Sequence, residues 1–339
     1  MRNLHAVVLA GGPGRRFWPW STPETPKHAL PLLPGGLSLF GDTVRRLRLL
    51  VPYDRLWLVT TRAQAGSLRR LAPGLKAARI LIEPEARDTA AAIGLAALRI
   101  SRLDPRAVMV VCPADHRISP ASAFARQIRR AAALAARQDL LMTLGVGPDR
   151  PAVSYGYLQP GKALGGGFRT LARFHEKPGP ARARRYLRAG FLWNSGIFVW
   201  RAEVLLAALA RHAPDVHAAL GRLGPGLKGY GLIPKRSIDY AVMEKAGNSA
   251  VLPVSFSWSD WGTWTAWEGS LKPDRSGNRV FGNARLDGAC RDTTAVGADP
   301  ARPLLLSGAR GLLAVQAPSG TLVCDRSRAE DIKSLVPAG

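Results

Sequence analysis

Short apolar runs alternate with segments of helical spacing through most of this chain, and that alternation restricts the fold more than any other feature. The runs at residues 6–10, 56–60, 80–82 and 108–112 are brief, partly β-branched and bounded by turn residues. Such runs read as buried strands. Between them, residues 43–50, 64–71, 89–102 and 121–136 place apolar side chains at helical intervals. Strand–helix alternation of this kind predicts an α/β fold, a mostly parallel sheet flanked by helices on both faces. From about Ser276 the helical spacing fades. Short runs at 279–281, 304–306, 312–315 and 321–324 are separated by Gly, Asp, Asn and Pro, with a short helix expected over 329–335. The predicted division is therefore a catalytic-size α/β domain over 1–275 and a small β-rich domain over 276–339.

Composition removes several alternatives. The 339 residues are 47% hydrophobic and 21% charged, the balance of a soluble globular protein. No stretch approaches the roughly 20 apolar residues of a membrane helix, so no membrane association is expected. Arg15-Arg16 follow the apolar run at 6–10 instead of preceding it, the reverse of a twin-arginine signal. Cys112, Cys290 and Cys324 form no CxxC pair, and the six histidines show no HExxH spacing. That pattern points to a reducing, cytoplasmic setting and away from zinc. The formal charge of +24 would suit nucleic acid, yet the arginines are scattered and no basic tail or RNP-like aromatic pattern occurs. No nucleic-acid partner is expected; a small polyanion would profit from the same positive field.

Five segments carry candidate chemistry. The first strand empties into Leu9-Ala10-Gly11-Gly12-Pro13-Gly14-Arg15-Arg16, followed by Pro26-Lys27. Glycines bring backbone N–H groups close to an anion, and Arg16 and Lys27 supply positive charge. On pattern alone the turn serves equally as a phosphate cradle or a plain loop, and it is neither a P-loop nor a GxGxxG fingerprint. Glu83 to Ala90, including Arg87, Asp88 and Thr89, reads as a helix start capped by Asp88. Pro113-Ala114-Asp115-His116 closes a buried strand, where Asp115 either caps a turn or holds a hard cation. Tyr155-Gly156-Tyr157, Glu176-Lys177-Pro178 and Trp193-Asn194-Ser195-Gly196 offer an acid, a lysine and an amide. These groups suit a hydroxylated, phosphorylated ligand. Last, Trp258-Ser259-Asp260-Trp261-Gly262-Thr263-Trp264 is rich in tryptophan, more often a sign of packing than of base stacking.

Taken together these strings resemble the sugar-1-phosphate nucleotidylyltransferases, in particular the mannose-1-phosphate guanylyltransferase branch with its LAGGxGxRLWPxS, EPxxRNTAPA, PADH, GYGY, EKP, WNSGIF and WxDxGxW motifs. The resemblance covers nearly the whole chain. It implies a Rossmann-like nucleotidyltransferase fold with a C-terminal region like a left-handed β-helix that often supports homodimers. It further implies nucleotide binding by Leu9, Ala10, Gly11, Gly12, Gly14, Arg16, Lys27, Glu83, Arg87, Thr89 and Asp115. Gly156, Glu176, Lys177 and Asn194 would bind the sugar phosphate, Asp115 and Asp260 would hold Mg²⁺, and Arg16, Lys27 and Lys177 would carry the catalytic charge. His116 is expected to be structural, since a sugar phosphate is already anionic. The implied substrates are GTP and mannose 1-phosphate, giving GDP-mannose and pyrophosphate. With the chain ending at Gly339, no cupin-like isomerase domain is expected. Rival readings are a guanylyltransferase for another sugar, such as a heptose 1-phosphate, and a non-catalytic regulatory homologue. Asp88, Ala91 and Trp261 depart from the branch's Asn, Pro and Val.

Overall fold

The computed structural model describes residues 3–12, 14–329 and 331–334. It divides into two compact units, one formed by Met1–Gly11 and Phe40–Ser259, the other by Gly12–Leu39 and Asp260–Gly339. These units do not follow a boundary at 275/276, because the glycine-turn segment groups with the C-terminal part of the chain.

The first unit opens with β1 (Leu4–Ala10), α1 (Leu39–Leu47), β2 (Leu56–Thr61), α2 (Arg62–Leu71), β3 (Ile80–Glu83), α3 (Asp88–Leu103) and β4 (Val108–Pro113). It continues through β5 (Arg117–Ser119), α4 (Ala121–Ala135), β6 (Leu141–Val146), β7 (Tyr157–Gly165), β8 (Phe168–His175), α5 (Pro180–Arg188) and β9 (Leu192–Arg201). The helices α6 (Ala202–His212) and α7 (Pro214–Gly221) and the strands β10 (Ser249–Pro253) and β11 (Ser257–Ser259) complete it. Nine strands form one sheet in the order β3-β2-β1-β4-β9-β6-β10-β8-β7. β1 pairs parallel with β2 and β4, and β6 with β10, whereas β9 runs antiparallel to β4 and β6. The strand–helix alternation up to β4 is thus the one read from the sequence, though α1 begins earlier than expected and ends at Leu47.

Val7, Val59, Met109 and Val111 leave the sheet to pack with Ala90, Ile93, Ala97 and Ile100 of α3, all fully or nearly fully buried. The alanine-rich face of α3 lets that helix lie close against the strands, and apolar burial of this kind stabilises by about 25 cal/mol per Å². The carboxyl ends of β1, β3, β4 and β6 and the amino end of β9 fall on one sheet edge, as the registers Leu9↔Pro113, Thr61↔Glu83 and Val146↔Trp193 require. Loops beyond such an edge are where α/β sheets carry ligand sites.

In the second unit, α8 (Trp264–Glu268) is followed by β12 (Arg279–Gly282), β13 (Ala284–Leu286), β14 (Thr294–Gly297), β15 (Leu304–Leu306), β16 (Leu312–Ala317) and β17 (Gly320–Asp325). β12, β14 and β16 stack in parallel, β13 pairs in parallel with β15, and β17 closes back antiparallel on β16. Strands β13 and β14 were not legible in the sequence. The carboxylate of Glu268, 1% exposed, accepts from Thr294 Oγ1 at 2.6 Å and Arg326 Nε at 2.5 Å, fastening α8 to the stacked strands. Phe17, Leu30, Trp264, Trp267, Val296, Leu313 and Val315 form this unit's core. The expected helix over 329–335 falls partly outside the described residues. Its described part, Asp331–Ser334, is a single 3-10 turn.

Candidate active site

At the edge of the first unit, β1 ends where Ala10 O accepts from Thr60 Oγ1 at 2.7 Å and Leu9 O accepts from the Ala114 amide at 2.9 Å. Asp115 is therefore held next to the end of β1 by a backbone bond. Its carboxylate is partly exposed, and Oδ1 lies 3.7 Å from His116 Nε2. Trp258 Nε1 donates to His116 Nδ1 at 3.1 Å. With Nδ1 accepting, a neutral imidazole carries its proton on Nε2, directed at Asp115. At 3.7 Å the contact is longer than a hydrogen bond, so the imidazole stands beside the carboxylate without a direct bond to it.

Glu83, at the end of β3, is 5% exposed, and Tyr230 Oη donates to its Oε1 at 2.6 Å. Burial raises the Glu83 pKa, while the Tyr230 hydroxyl and the Arg87 amide oppose the rise. A Cβ on Gly11 would stand 3.3 Å from Glu83 Oε2, so the carboxylate reaches the end of β1. Arg87 Nη2 pairs with Glu85 Oε2 at 2.9 Å. Asp88 does not act as the expected N-cap. Its backbone is left-handed, with φ 66°, and Oδ1 accepts from the neighbouring Thr89 amide at 2.7 Å. Asp and Asn tolerate that region better than most residues, which accounts for an Asp where the related motif has Asn. Thr89 Oγ1 accepts from the Ile238 amide at 2.8 Å, tying the start of α3 to a later segment.

A second group gathers on the same unit. Asn194, on β9, donates its backbone N–H to Gly156 O at 2.8 Å. A Cβ on Gly156 would come within 2.5 Å of Glu176 Oε2, so only glycine lets that carboxylate approach. Lys177 Nζ donates to Glu176 Oε1 at 2.7 Å, with 60% of its side chain exposed and a left-handed backbone, φ 43°. Burial alone would lower the Lys177 pKa, but the bond and charge of Glu176 and the charge of Asp239 raise it, so the ammonium stays charged. Gly156, Glu176, Lys177 and Asn194, distant in sequence, thus form one polar group joined by Asp239, whose Oδ1 accepts from Asn194 Nδ2 at 3.0 Å.

The second unit brings its own residues together. Gly14 has φ 64°, and a Cβ there would stand 2.7 Å from the Lys27 backbone nitrogen. Glycine is required on both counts. Gly12 and Arg16 are exposed. Lys27 is 5% exposed, and its ammonium donates to the Asp260 and Trp261 carbonyls at 2.8 and 3.2 Å. Lys27 therefore joins the glycine turn to the Asp260 loop. Asp260 Oδ1 accepts from the Gly262 amide at 3.1 Å. Asp260 Oδ2 and Arg16 Nη1 lie 2.9 and 3.2 Å from where a Gly262 Cβ would stand. The tryptophans pack, as expected, with Trp264 and Trp267 fully buried. Pro13 lies outside the described residues.

Sequence reasoning missed Tyr230 and Asp239. Tyr230 sits between two glycines in a stretch that reads as a plain turn, and Asp239 opens a run that reads as an amphipathic helix. Neither carries a local signal, because their partners lie far away in sequence. Among the described residues no group of three or more His, Cys, Asp or Glu side chains is placed to hold a metal.

A mostly parallel sheet with charged loops at one strand edge is an α/β frame of the kind that carries ligand sites, and similarity to known proteins gives the class. Residues 5–272 match the family model described as Nucleotidyl transferase, and the chain belongs to that family. Within it, the chain is similar to mannose-1-phosphate guanylyltransferase of Klebsiella pneumoniae, 35% identical over 352 residues that cover 98% of this chain and 73% of the relative. It is 34% identical to xanthan biosynthesis protein XanB of Xanthomonas campestris pv. campestris over 99% of this chain and 73% of the relative. A crystal structure from Thermus thermophilus, described as mannose-1-phosphate geranyltransferase, superposes with a TM-score of 0.87 at 34% identity, covering 98% of both chains.

Proposed function

We propose that this chain transfers GMP from GTP to mannose 1-phosphate, forming GDP-mannose and pyrophosphate. The observation that carries the reading is the group Gly156, Glu176, Lys177 and Asn194, which sets a carboxylate oxygen and an amide N–H for sugar hydroxyls beside an exposed, charged lysine for a phosphate. The full-length similarity to mannose-1-phosphate guanylyltransferases supports the choice of substrates and does not favour another sugar, such as a heptose 1-phosphate. On this reading a sugar-phosphate oxygen attacks the α-phosphorus of GTP in line. The bond from that phosphorus to the bridging oxygen breaks, and pyrophosphate leaves with the electron pair. Two polyanions must meet, so catalysis consists of neutralising charge and fixing geometry, with no covalent enzyme intermediate.

Lys177 neutralises and orients the attacking phosphate. The backbones of Leu9, Ala10, Gly11, Gly12 and Gly14 and the side chain of Arg16 receive the triphosphate, and Lys27 adds positive charge while holding the Asp260 loop. Glu83, Arg87 and Thr89 shape the loop that takes the base. Mg²⁺ is the proposed cofactor, with Asp115 and Asp260 as its carboxylate ligands. Oxygen donors without a histidine–cysteine cage suit this hard ion, which keeps waters and takes phosphate oxygens. When bound it would offset negative charge on the α-phosphate. The stacked strands of the second unit are read as a left-handed β-helix that supports a homodimer, and a cytoplasmic location accords with three unpaired cysteines. No described helix is long and apolar enough to cross a membrane. Pyrophosphate release measured across a matrix of nucleoside triphosphates and sugar 1-phosphates tests the proposal. GTP with mannose 1-phosphate should give the highest kcat/KM, and a clear preference for any other pair would overturn it.

A further inference from the structure

Asp239 has a cost that its visible contact does not account for. Asn194 is already oriented without it, since Thr143 Oγ1 donates to Asn194 Oδ1 at 2.9 Å and the Gly196 amide adds a bond at 3.3 Å. These bonds turn Nδ2 toward Asp239 Oδ1, 3.0 Å away, and among the described residues Asn194 is the side chain that donates to Asp239. Any neutral acceptor would serve that purpose. Instead a carboxylate stands close enough to Glu176 for the two charges to repel, and burial followed by that repulsion pushes its pKa up to about 7. Glu176 has Lys177 as partner at 2.7 Å; Asp239 feels the same ammonium at longer range and accepts from its own backbone N–H as well as from Asn194, and a carboxylate can accept further donors beyond these.

The backbone, too, is arranged to deliver this residue. Asp239 opens a single turn of π-helix, Asp239–Met243, a rare element that recurs at functional sites. The segment just before the turn is tied to the start of α3, by Thr89 Oγ1 accepting from the Ile238 amide at 2.8 Å and by Arg236 O accepting from the Ala90 amide at 3.1 Å. A second, half-buried carboxylate is stabilised by hydroxyl donors, and the ligand proposed for the adjacent Glu176 and Asn194 is rich in them.

We propose that Asp239 is a specificity-determining residue of the sugar site, accepting a hydrogen bond from one hydroxyl of the sugar 1-phosphate beside Glu176. The proposal rests on the guanylyl-transfer reading, and it assigns hydroxyl discrimination to a carboxylate pair. A site built to bond a hydroxyl rejects an analogue that lacks it far more strongly than an apolar pocket rejects a missing methylene.

The test is an enzyme-by-substrate cycle. Wild type and Asp239→Asn are assayed by pyrophosphate release with GTP and mannose 1-phosphate or its 2-, 3-, 4- and 6-deoxy analogues. Calorimetric titration with each sugar phosphate gives binding independently of turnover. One deoxy analogue should cost the wild type about tenfold or more, Asp239→Asn should cost a similar factor with mannose 1-phosphate, and the two losses should not add. The KM for GTP should stay within about twofold, because the lost contact is to the other substrate. Asp239→Ser should repeat the pattern if Asp239→Asn folds poorly. Equal losses for every analogue in both proteins, or no loss in the variants, would overturn the proposal. If wild type binds mannose 1-phosphate with the predicted cycle yet releases no pyrophosphate, the transfer reading fails and Asp239 keeps its role. If neither protein binds the sugar phosphate, both fail.

Discussion

Replacing Tyr230 by Phe isolates one contact on which the end of β3 depends. Tyr230 is 1% exposed and Glu83 5% exposed, and the hydroxyl donates to the carboxylate at 2.6 Å. The Phe ring preserves the packing, so the change removes one hydrogen bond and leaves a buried oxygen short of a donor. A hydrogen bond to a charged group contributes roughly 1.5–3 kcal/mol, against about 1 kcal/mol for a neutral pair. Burial raises the Glu83 pKa above its ordinary value, and Tyr230 restrains that rise. A raised carboxyl pKa means the folded protein holds a proton the unfolded chain releases. This group's contribution to stability is therefore full below the ordinary carboxyl range and declines as pH rises through the folded value. Loss of the tyrosine donor deepens the decline. Tyr230→Phe should cost about 2 kcal/mol at a pH well above the raised Glu83 pKa and about 1 kcal/mol at a pH well below it. That corresponds to a fall in Tm of about 3 °C at the higher pH and about half that at the lower. Calorimetry of both proteins at the two pH values measures it. A loss that is the same at both, or below about 0.5 kcal/mol at the higher pH, would refute an ionised Glu83 held by Tyr230.

Three further changes address the rest of the site. Lys177→Ala should leave Tm nearly unchanged, since 60% of the side chain is exposed, while lowering kcat by about a hundredfold or more. Near-normal turnover would remove Lys177 from the mechanism. Gly14→Ala combines a left-handed backbone with a Cβ 2.7 Å from the Lys27 nitrogen, so it should lower stability by about 2–4 kcal/mol, read by denaturant titration. Asp115→Asn and Asp260→Asn should each raise the Mg²⁺ concentration needed for half-maximal rate by about tenfold or more, and unchanged metal titrations would exclude them as ligands.

The strands and helices up to β4 were legible because each is a local pattern: the run Ala6–Ala10 of the buried parallel strand β1 is apolar without interruption, and α3 is an alanine-rich helix. Strand β14, Thr294–Gly297, was missed because a stacked strand of four residues needs little apolar length when its neighbours bury it. The candidate site was legible where a motif supplied it, as for Glu176 and Asn194. The tie from Lys27 to the Asp260 and Trp261 carbonyls was not, since a buried lysine and a backbone oxygen more than two hundred residues apart leave no shared pattern. Asp88 shows the same limit at short range. A residue type suited to capping took a left-handed backbone instead, and only the bond from Thr89 to Ile238 explains what that turn secures.

The central claim is that the phosphorus of the sugar substrate and the α-phosphorus of GTP end in the same molecule. Incubation with Mg²⁺, GTP labelled with ³²P at the α-position and mannose 1-phosphate labelled with ³³P tests it directly. The account predicts a single GDP-mannose product carrying both isotopes in equal amounts, with unlabelled pyrophosphate. Labelled GMP without doubly labelled product, or ³²P retained on the protein, would contradict it.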